Sequence, residues 1–224
     1  MSVDAQLTNT SDMPLVHEAF RRGLGEARSQ LGFIDDGDTE RAAHFADYMA
    51  ELLWLLHAHH AGEDELLYPL IVERAPEEGA LVARMDEQHS AVAATLHAAM
   101  DAAAAYRTSG SAADASALAD ACDALLAQLA PHLDEEEREL VPVAARTVTQ
   151  EEWSRLPGHA LMSYTGDRIW LPFGLATEAF PEPMINVILD GPSPVGPMWR
   201  GGGQAAFEQE MALIRDESAW AHRP

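Results

Sequence analysis

The chain contains no lysine. All fourteen of its basic residues are arginine, set against thirty-seven acidic residues, for a formal net charge of -23. A surface this negative repels phosphate backbones and anionic headgroups, which excludes nucleic acid and acidic membranes as partners. Cysteine is nearly missing. Cys122 stands alone, so neither an intrachain disulfide framework nor a thiolate zinc site can form. No run of about 18 uncharged apolar residues occurs, and no transmembrane helix is expected. The opening MSVDAQLTNTSDMP lacks the basic-then-apolar order of a secretion signal. These absences lead to the expectation of a cytoplasmic protein, and arginine as sole base in an alanine-rich chain suggests a GC-rich bacterial genome. What is present is a 47% hydrophobic composition over 224 residues, sufficient for a core, and ten histidines.

The chain divides into two parts of different character. Residues 12–147 are rich in Ala, Leu, Glu and Arg and read as four long helices. The first starts near Asp12, with Pro14 early in it where a missing N–H costs nothing, and runs to Gln30. The second follows Thr39 and reaches Arg74. The third spans Glu77 to Arg107, and the fourth Asp114 to Arg146. Short loops between them predict an all-α, antiparallel up-down-up-down bundle. Residues 148–224 form an extension, and eight of the thirteen prolines and eight of the fifteen glycines lie beyond residue 150. Here LMSYTGDRIWLPF reads as a β-hairpin turning at Thr165-Gly166-Asp167, MINVILDG as a further strand, and AAFEQEMALIRDESAW as a final helix. Trp153, Trp170, Phe173, Ile185 and Trp199 are too many apolar groups for a solvated linker. The extension is therefore expected to pack on the bundle or on a dimer partner.

An internal repeat carries the chemistry. His59 to Pro69 and His132 to Pro142 share the pattern H-x-x-x-E-acidic-x-x-L-x-P. Positions i and i+4 project from one helix face, so an imidazole and a carboxylate can converge on one ion. Leu52, Leu55, Leu56, Leu66 and Leu70 share the face of His59, and Leu125, Leu129 and Val143 that of His132. Both pairs therefore point inward. Each copy is preceded by a single histidine, His17 at 42 residues before His59 and His89 at 43 before His132. The bundle then sets four imidazoles and the carboxylates of Glu63 and Glu136 at one level. Two neighbouring cations with bridging carboxylates fit that inventory, and nitrogen with oxygen donors suits iron, manganese or zinc, with redox iron favoured where positions stay open. An isolated H-x-x-x-E is commonly a solvated pair. Two copies in register, on leucine-rich faces, are not, because unpaired buried glutamates are costly.

This combination resembles the hemerythrin-like, or HHE cation-binding, family over about residues 12–147. The resemblance implies a di-iron centre in which His17 and His59 hold one iron, His89 and His132 the other, and Glu63 and Glu136 bridge, with an oxo, hydroxo or water ligand between. The pattern departs from that of the oxygen-carrying members. Met85 and Ala93 occupy the positions one turn from His89 where those members place a further histidine, and the fourth helix carries H-x-x-x-E. A missing ligand leaves a position for dioxygen, peroxide, nitric oxide or an organic substrate. His60 and Asp64 also stand at i,i+4, but about 100° round the helix, and are assigned outside the ligand set. Tyr68 and Trp54 read as core, and His44, His57, His97 and His159 as packing or surface residues. Three function classes remain open on the sequence: an oxidase or peroxide-detoxifying enzyme, a non-enzymatic oxygen or iron sensor, and an iron-handling or structural zinc protein. A monomer or homodimer serves any of them.

Overall fold

The computed structural model describes residues 7–215. α1 (Met13–Gln30) carries Pro14 in its first turn, and α2 (Thr39–Gly62) is capped by Asp38, whose side chain accepts from the Arg41 N–H at 3.0 Å. α2 continues through a wide π-helical turn, Glu63–Leu67, into α3 (Tyr68–Arg74). α4 (Gly79–Ser109) ends at Gly110, whose φ of 59° is the left-handed conformation that stops a helix. α5 (Ala112–Glu135) passes through a second π turn, Glu136–Leu140, into α6 (Val141–Thr147).

Both π turns fall at the H-x-x-x-E repeats, and the same proline causes both. Pro69 and Pro142 have no N–H to donate four residues back, and a regular turn would bring each ring against a carbonyl. The chain instead widens, with the Tyr68 N–H donating to the Glu63 carbonyl and the Val141 N–H to that of Glu136, five residues back. The extra residue turns two consecutive side chains inward, Leu67 with Tyr68 and Leu140 with Val141, all four buried.

α2 packs on α4, α4 on α5, α5 on α1 and α1 on α2, which closes a four-helix bundle. Histidines from the early turns of α1 and α4 meet those from the ends of α2 and α5, so consecutive long helices run antiparallel. The apolar core splits into two clusters. One holds Phe20, Leu56, Val92 and Leu133, the other Met13, Leu67, Met85 and Leu140. Along every long helix the inward histidine lies between a residue of one cluster and a residue of the other. A polar layer is thereby sealed above and below by hydrocarbon.

The extension is helical, and no strand occurs among the described residues. α7 (Gln150–Trp153) opens with a capping box from Thr149 and Glu152, and α8 (Arg155–Ser163) lies along α2 and its π turn. α9 (Trp170–Thr177) takes the place of the expected hairpin, and α10 (Glu182–Asp190) that of the expected second strand. The turn placed at Thr165-Gly166-Asp167 is the loop between α8 and α9. Short apolar runs have no decisive period, and here tertiary burial selects the helical one. Leu171, Gly174 and Leu175 fall on one face of α9 and are buried against α1 and α2. Gly174 is needed there, because a Cβ would stand 2.3 Å from the ring of Phe207. α11 (Val195–Met198) leads through a π turn, Trp199–Gly203, into α12 (Gln204–Arg215). The expected final helix is present to Arg215, and its remainder lies outside the described residues. Phe207, Met211 and Ile214 of α12 join the same core cluster as Phe20 and Leu24. Arg215 fastens the helix with ion pairs to Glu26 and Glu178 at 2.6 and 2.7 Å. No helix among the described residues is long and apolar enough to cross a membrane.

Because α9 completes the main core, Leu171→Ala should destabilise the whole bundle by about 2–5 kcal/mol, as for other fully buried leucines. Urea denaturation followed by far-ultraviolet dichroism should show one transition at lower denaturant. A separate early transition for the extension would contradict the shared core.

Candidate metal centre

The four long helices deliver two adjacent groups of donor atoms. His17, His59, Glu63 and Glu136 form one, and His60, His89 and His132 the other, with the donor atoms of each group within 4.8 Å of one another. Glu63 joins them. Its Oε1 lies 3.4 Å from His59 Nε2 and its Oε2 lies 3.5 Å from His89 Nε2. Glu136 does the same from the opposite helix, with Oε2 3.5 Å from His17 Nε2 and 3.7 Å from His132 Nε2. Both carboxyl groups are fully buried.

All six residues expected from the repeat therefore meet in one layer. His60 joins them, contrary to its assignment outside the ligand set. It is buried, its ring stacked on His89 at 4.2 Å and edge-on to His132 at 5.2 Å. His60 stands about 100° round α2 from His59. Two ions about 3.5–4 Å apart offer two focal points, and adjacent imidazoles diverging by roughly 100° can each face one. His57 and His97 are exposed, and His159 donates to the Glu65 carboxylate at 2.9 Å outside the layer. His44 lies 3.4 Å from Glu210, well away from the cluster. Tyr68 does more than fill core: its hydroxyl lies 3.1 Å from His89 Nε2 and its ring stacks on that imidazole.

Six of the inner donor atoms lack protein partners. Among the described residues, both oxygens of Glu63, both oxygens of Glu136, and Nε2 of His60 and His132 are buried without a hydrogen bond. Such groups are expensive to enclose and are satisfied by a cation. The spacing fits one. His17 Nε2 and His59 Nε2 stand 3.2 Å apart, close to the separation of two nitrogens each about 2.1 Å from one ion at near right angles. The outer nitrogens are occupied, Nδ1 of His17 by Glu137 at 2.9 Å, of His89 by Asp64 at 2.7 Å, and of His132 by the Gln88 oxygen at 3.0 Å. A carboxylate or amide oxygen only accepts, so each Nδ1 carries the proton and each Nε2 presents its lone pair, that of His89 accepting from the Tyr68 hydroxyl. Gln88 is itself held by its N–H donating to Glu135 at 2.7 Å.

Electrostatics agree with a cation site. Burial, then the charges of neighbouring imidazoles, hold His59 and His60 well below the usual imidazole range, which keeps them neutral. Burial lowers His132 to about 4 against the opposing pull of Glu136. Glu63 is pushed well above the usual carboxyl range, by burial first and by the adjacent Glu136 second. Neutral imidazoles beside crowded carboxyl groups are a destabilising arrangement for the metal-free chain and a ready ligand set for a divalent ion.

A family model described as the Hemerythrin HHE cation binding domain matches residues 8–144, and the chain belongs to that family. No curated protein and no solved structure matched the chain.

Two outcomes follow for metal-free protein. An unfolded chain takes up protons at imidazole near pH 6.5, whereas folded His132 does so only near 4. Acidification between those values therefore favours unfolding, and His59 and His60 act in the same sense. Glu63 acts oppositely, since its folded carboxyl keeps a proton above pH 4.5 that the unfolded chain gives up. Three imidazoles outweigh one carboxyl, so the denaturation midpoint should fall steadily from pH 6.5 to 4, as pH-resolved urea titration would reveal. Glu63→Gln removes the carboxyl altogether. At neutral pH the metal-free variant should be more stable than wild type by about 1–3 kcal/mol while binding metal poorly. A loss of stability would mean that Glu63 has a structural role.

Proposed function

We propose that the chain holds two iron ions between its two histidine groups and reacts there with dioxygen, peroxide or nitric oxide. The observation that carries this reading is Glu63, which directs Oε1 toward His59 at 3.4 Å and Oε2 toward His89 at 3.5 Å, one oxygen for each group. In this assignment His17 and His59 hold one iron, His60, His89 and His132 hold the other, and Glu63 and Glu136 reach both, with an oxo or hydroxo bridge completing the centre. Nitrogen and carboxylate donors without thiolate suit iron. Iron held there would supply electrons to a small oxidant.

The unequal histidine groups also support a reading of where an open position would lie. Three imidazoles would occupy more of one coordination sphere than two would of the other, so a free position would fall beside His17 and His59. The His59 side chain is 11% exposed, while His17 and Glu136 are wholly enclosed. Phe20 lies 5.2 Å from the His59 ring, so a route past His59 would be bordered by hydrocarbon. An apolar approach admits small neutral molecules more readily than hydrated ions. Among the function classes open on the sequence, this favours an oxidase or peroxide-consuming protein, and we place it in the cytoplasm.

Anaerobic loading with ferrous iron, elemental analysis and exposure to oxygen or peroxide under optical spectroscopy test the reading. Two irons per chain and an oxidant-dependent absorption change are expected. His59→Ala and His132→Ala should each remove one of the two ions, and His60→Ala should weaken the ion shared with His132. Continuous peroxide turnover marks an enzyme, and a stable reversible adduct marks a sensor or carrier. A colourless protein that takes zinc and rejects iron overturns the assignment.

A further inference from the structure

In both repeats the inward glutamate is followed at once by a second acid, Asp64 after Glu63 and Glu137 after Glu136. Asp64 is exposed and Glu137 half-buried, yet each turns one carboxylate oxygen inward onto a buried imidazole. Asp64 Oδ1 lies 2.7 Å from Nδ1 of His89, and Glu137 Oε1 lies 2.9 Å from Nδ1 of His17. The connections are exchanged between the halves of the chain. The acid of the first repeat holds the single histidine of the second, and the acid of the second holds the single histidine of the first. His17 is wholly buried and His89 nearly so, so each outer N–H would be left without a partner if the acid were removed.

We infer that Asp64 and Glu137 are positioning residues for the metal centre, each orienting the histidine that faces the ion opposite its own helix. The inference rests on the dinuclear reading above. An ionised carboxylate accepts and never donates, so it fixes the proton on Nδ1 and leaves the Nε2 lone pair for the ion. It also stops the ring from rotating and makes the imidazole a stronger donor. Those Nε2 atoms lie 3.5 Å from Glu136 in His17 and 3.5 Å from Glu63 in His89, within the ligand layer. His132 has a neutral partner in Gln88, so a charged partner belongs to just these two histidines and His132 serves as an internal comparison. Geometry explains why the second acid and not the first reaches across. One step along a helix turns a side chain about 100°, from the bundle axis toward the seam with the neighbouring helix. Glu137 is further pinned by Arg21 at 2.9 Å. Although burial opposes it, the hydrogen bonds from His17 and Arg21 hold the Glu137 carboxyl below its ordinary range.

The test uses the full chain with Asp64→Ala and Glu137→Ala, and cobalt(II) as the probe metal in competition with a chelator. Each variant should bind one of its two ions roughly 10–100-fold more weakly. The ion affected should differ. Asp64→Ala should weaken the ion that remains in a His59→Ala background, and Glu137→Ala the ion that remains in a His132→Ala background, not the reverse. Asp64→Asn and Glu137→Gln keep an acceptor oxygen and should recover part of the loss. Nitrogen-15 spectra of the metal-free protein give a readout independent of metal. His89 should show a pure Nδ1–H tautomer that becomes mixed in Asp64→Ala, and His17 should do the same in Glu137→Ala, while His132 stays unchanged. Wild-type protein that takes up fewer than two cobalt ions tells against the dinuclear reading. Two ions in wild type, with affinities and tautomers unaltered in both variants, overturns the positioning role alone.

Discussion

Two carboxyl groups without a protein partner, enclosed at the centre of a leucine-rich bundle, set the terms for the rest of this molecule. Glu63 and Glu136 are fully buried, and none of their oxygens accepts a hydrogen bond among the described residues. Left alone, the arrangement opposes folding, because burial and the neighbouring Glu136 both disfavour the charged form of Glu63. The hydrophobic clusters on either side of the layer supply the stabilisation that offsets it. They also exclude water, so that the polar groups remain available to a cation. Stability and metal binding are thus in opposition at the same two residues, as is common where a site is built inside a core.

The repeated proline extends this constraint to the backbone. Each H-x-x-x-E pair keeps its regular i,i+4 geometry, and the turn immediately after it widens. The widening turns Leu67 with Tyr68, and Leu140 with Val141, toward the interior, and thereby closes the layer on one side with side chains from both repeats. Outside the layer, acids and arginines form pairs such as Arg84 with Glu135 and Glu139, and Arg21 with Asp134 and Glu137. Exposed pairs of this kind contribute little stability each. Their effect here is to hold carboxylates at defined places on a chain with a large negative excess, among them the acid that supports His17.

The extension shows where local pattern and tertiary packing part. Its apolar residues do not form a second domain with its own core. Leu171, Leu175, Trp199 and Phe207 share a cluster with Phe20 and Leu24 of α1. The expected strands are helices because α9 meets α1 and α2 along a single face, with Gly174 permitting the approach of Phe207. α8 lies over the first π turn, so the extension bears on the helix that supplies His59, His60 and Glu63.

The four long helices, and the meeting of six of the seven histidines and glutamates of the inner layer, were legible in the sequence, because both depend on short-range rules. Helix propensity acts residue by residue, and i,i+4 spacing places His59 with Glu63 and His132 with Glu136 whatever surrounds them. The duplication of that spacing, with His17 and His89 at matched distances, was enough to imply convergence. What lay beyond the sequence depends on what faces each residue across a gap between helices. His60 lies in the layer because it faces His89 and His132 across the bundle, and Asp64 and Glu137 meet His89 and His17 only across the gap between helices. The helices of the extension replace strands because a surface on α1 and α2 was there to cover. Nothing along the chain records those neighbours, since residues more than a hundred positions apart, such as His17 and Glu137, meet only once the bundle closes.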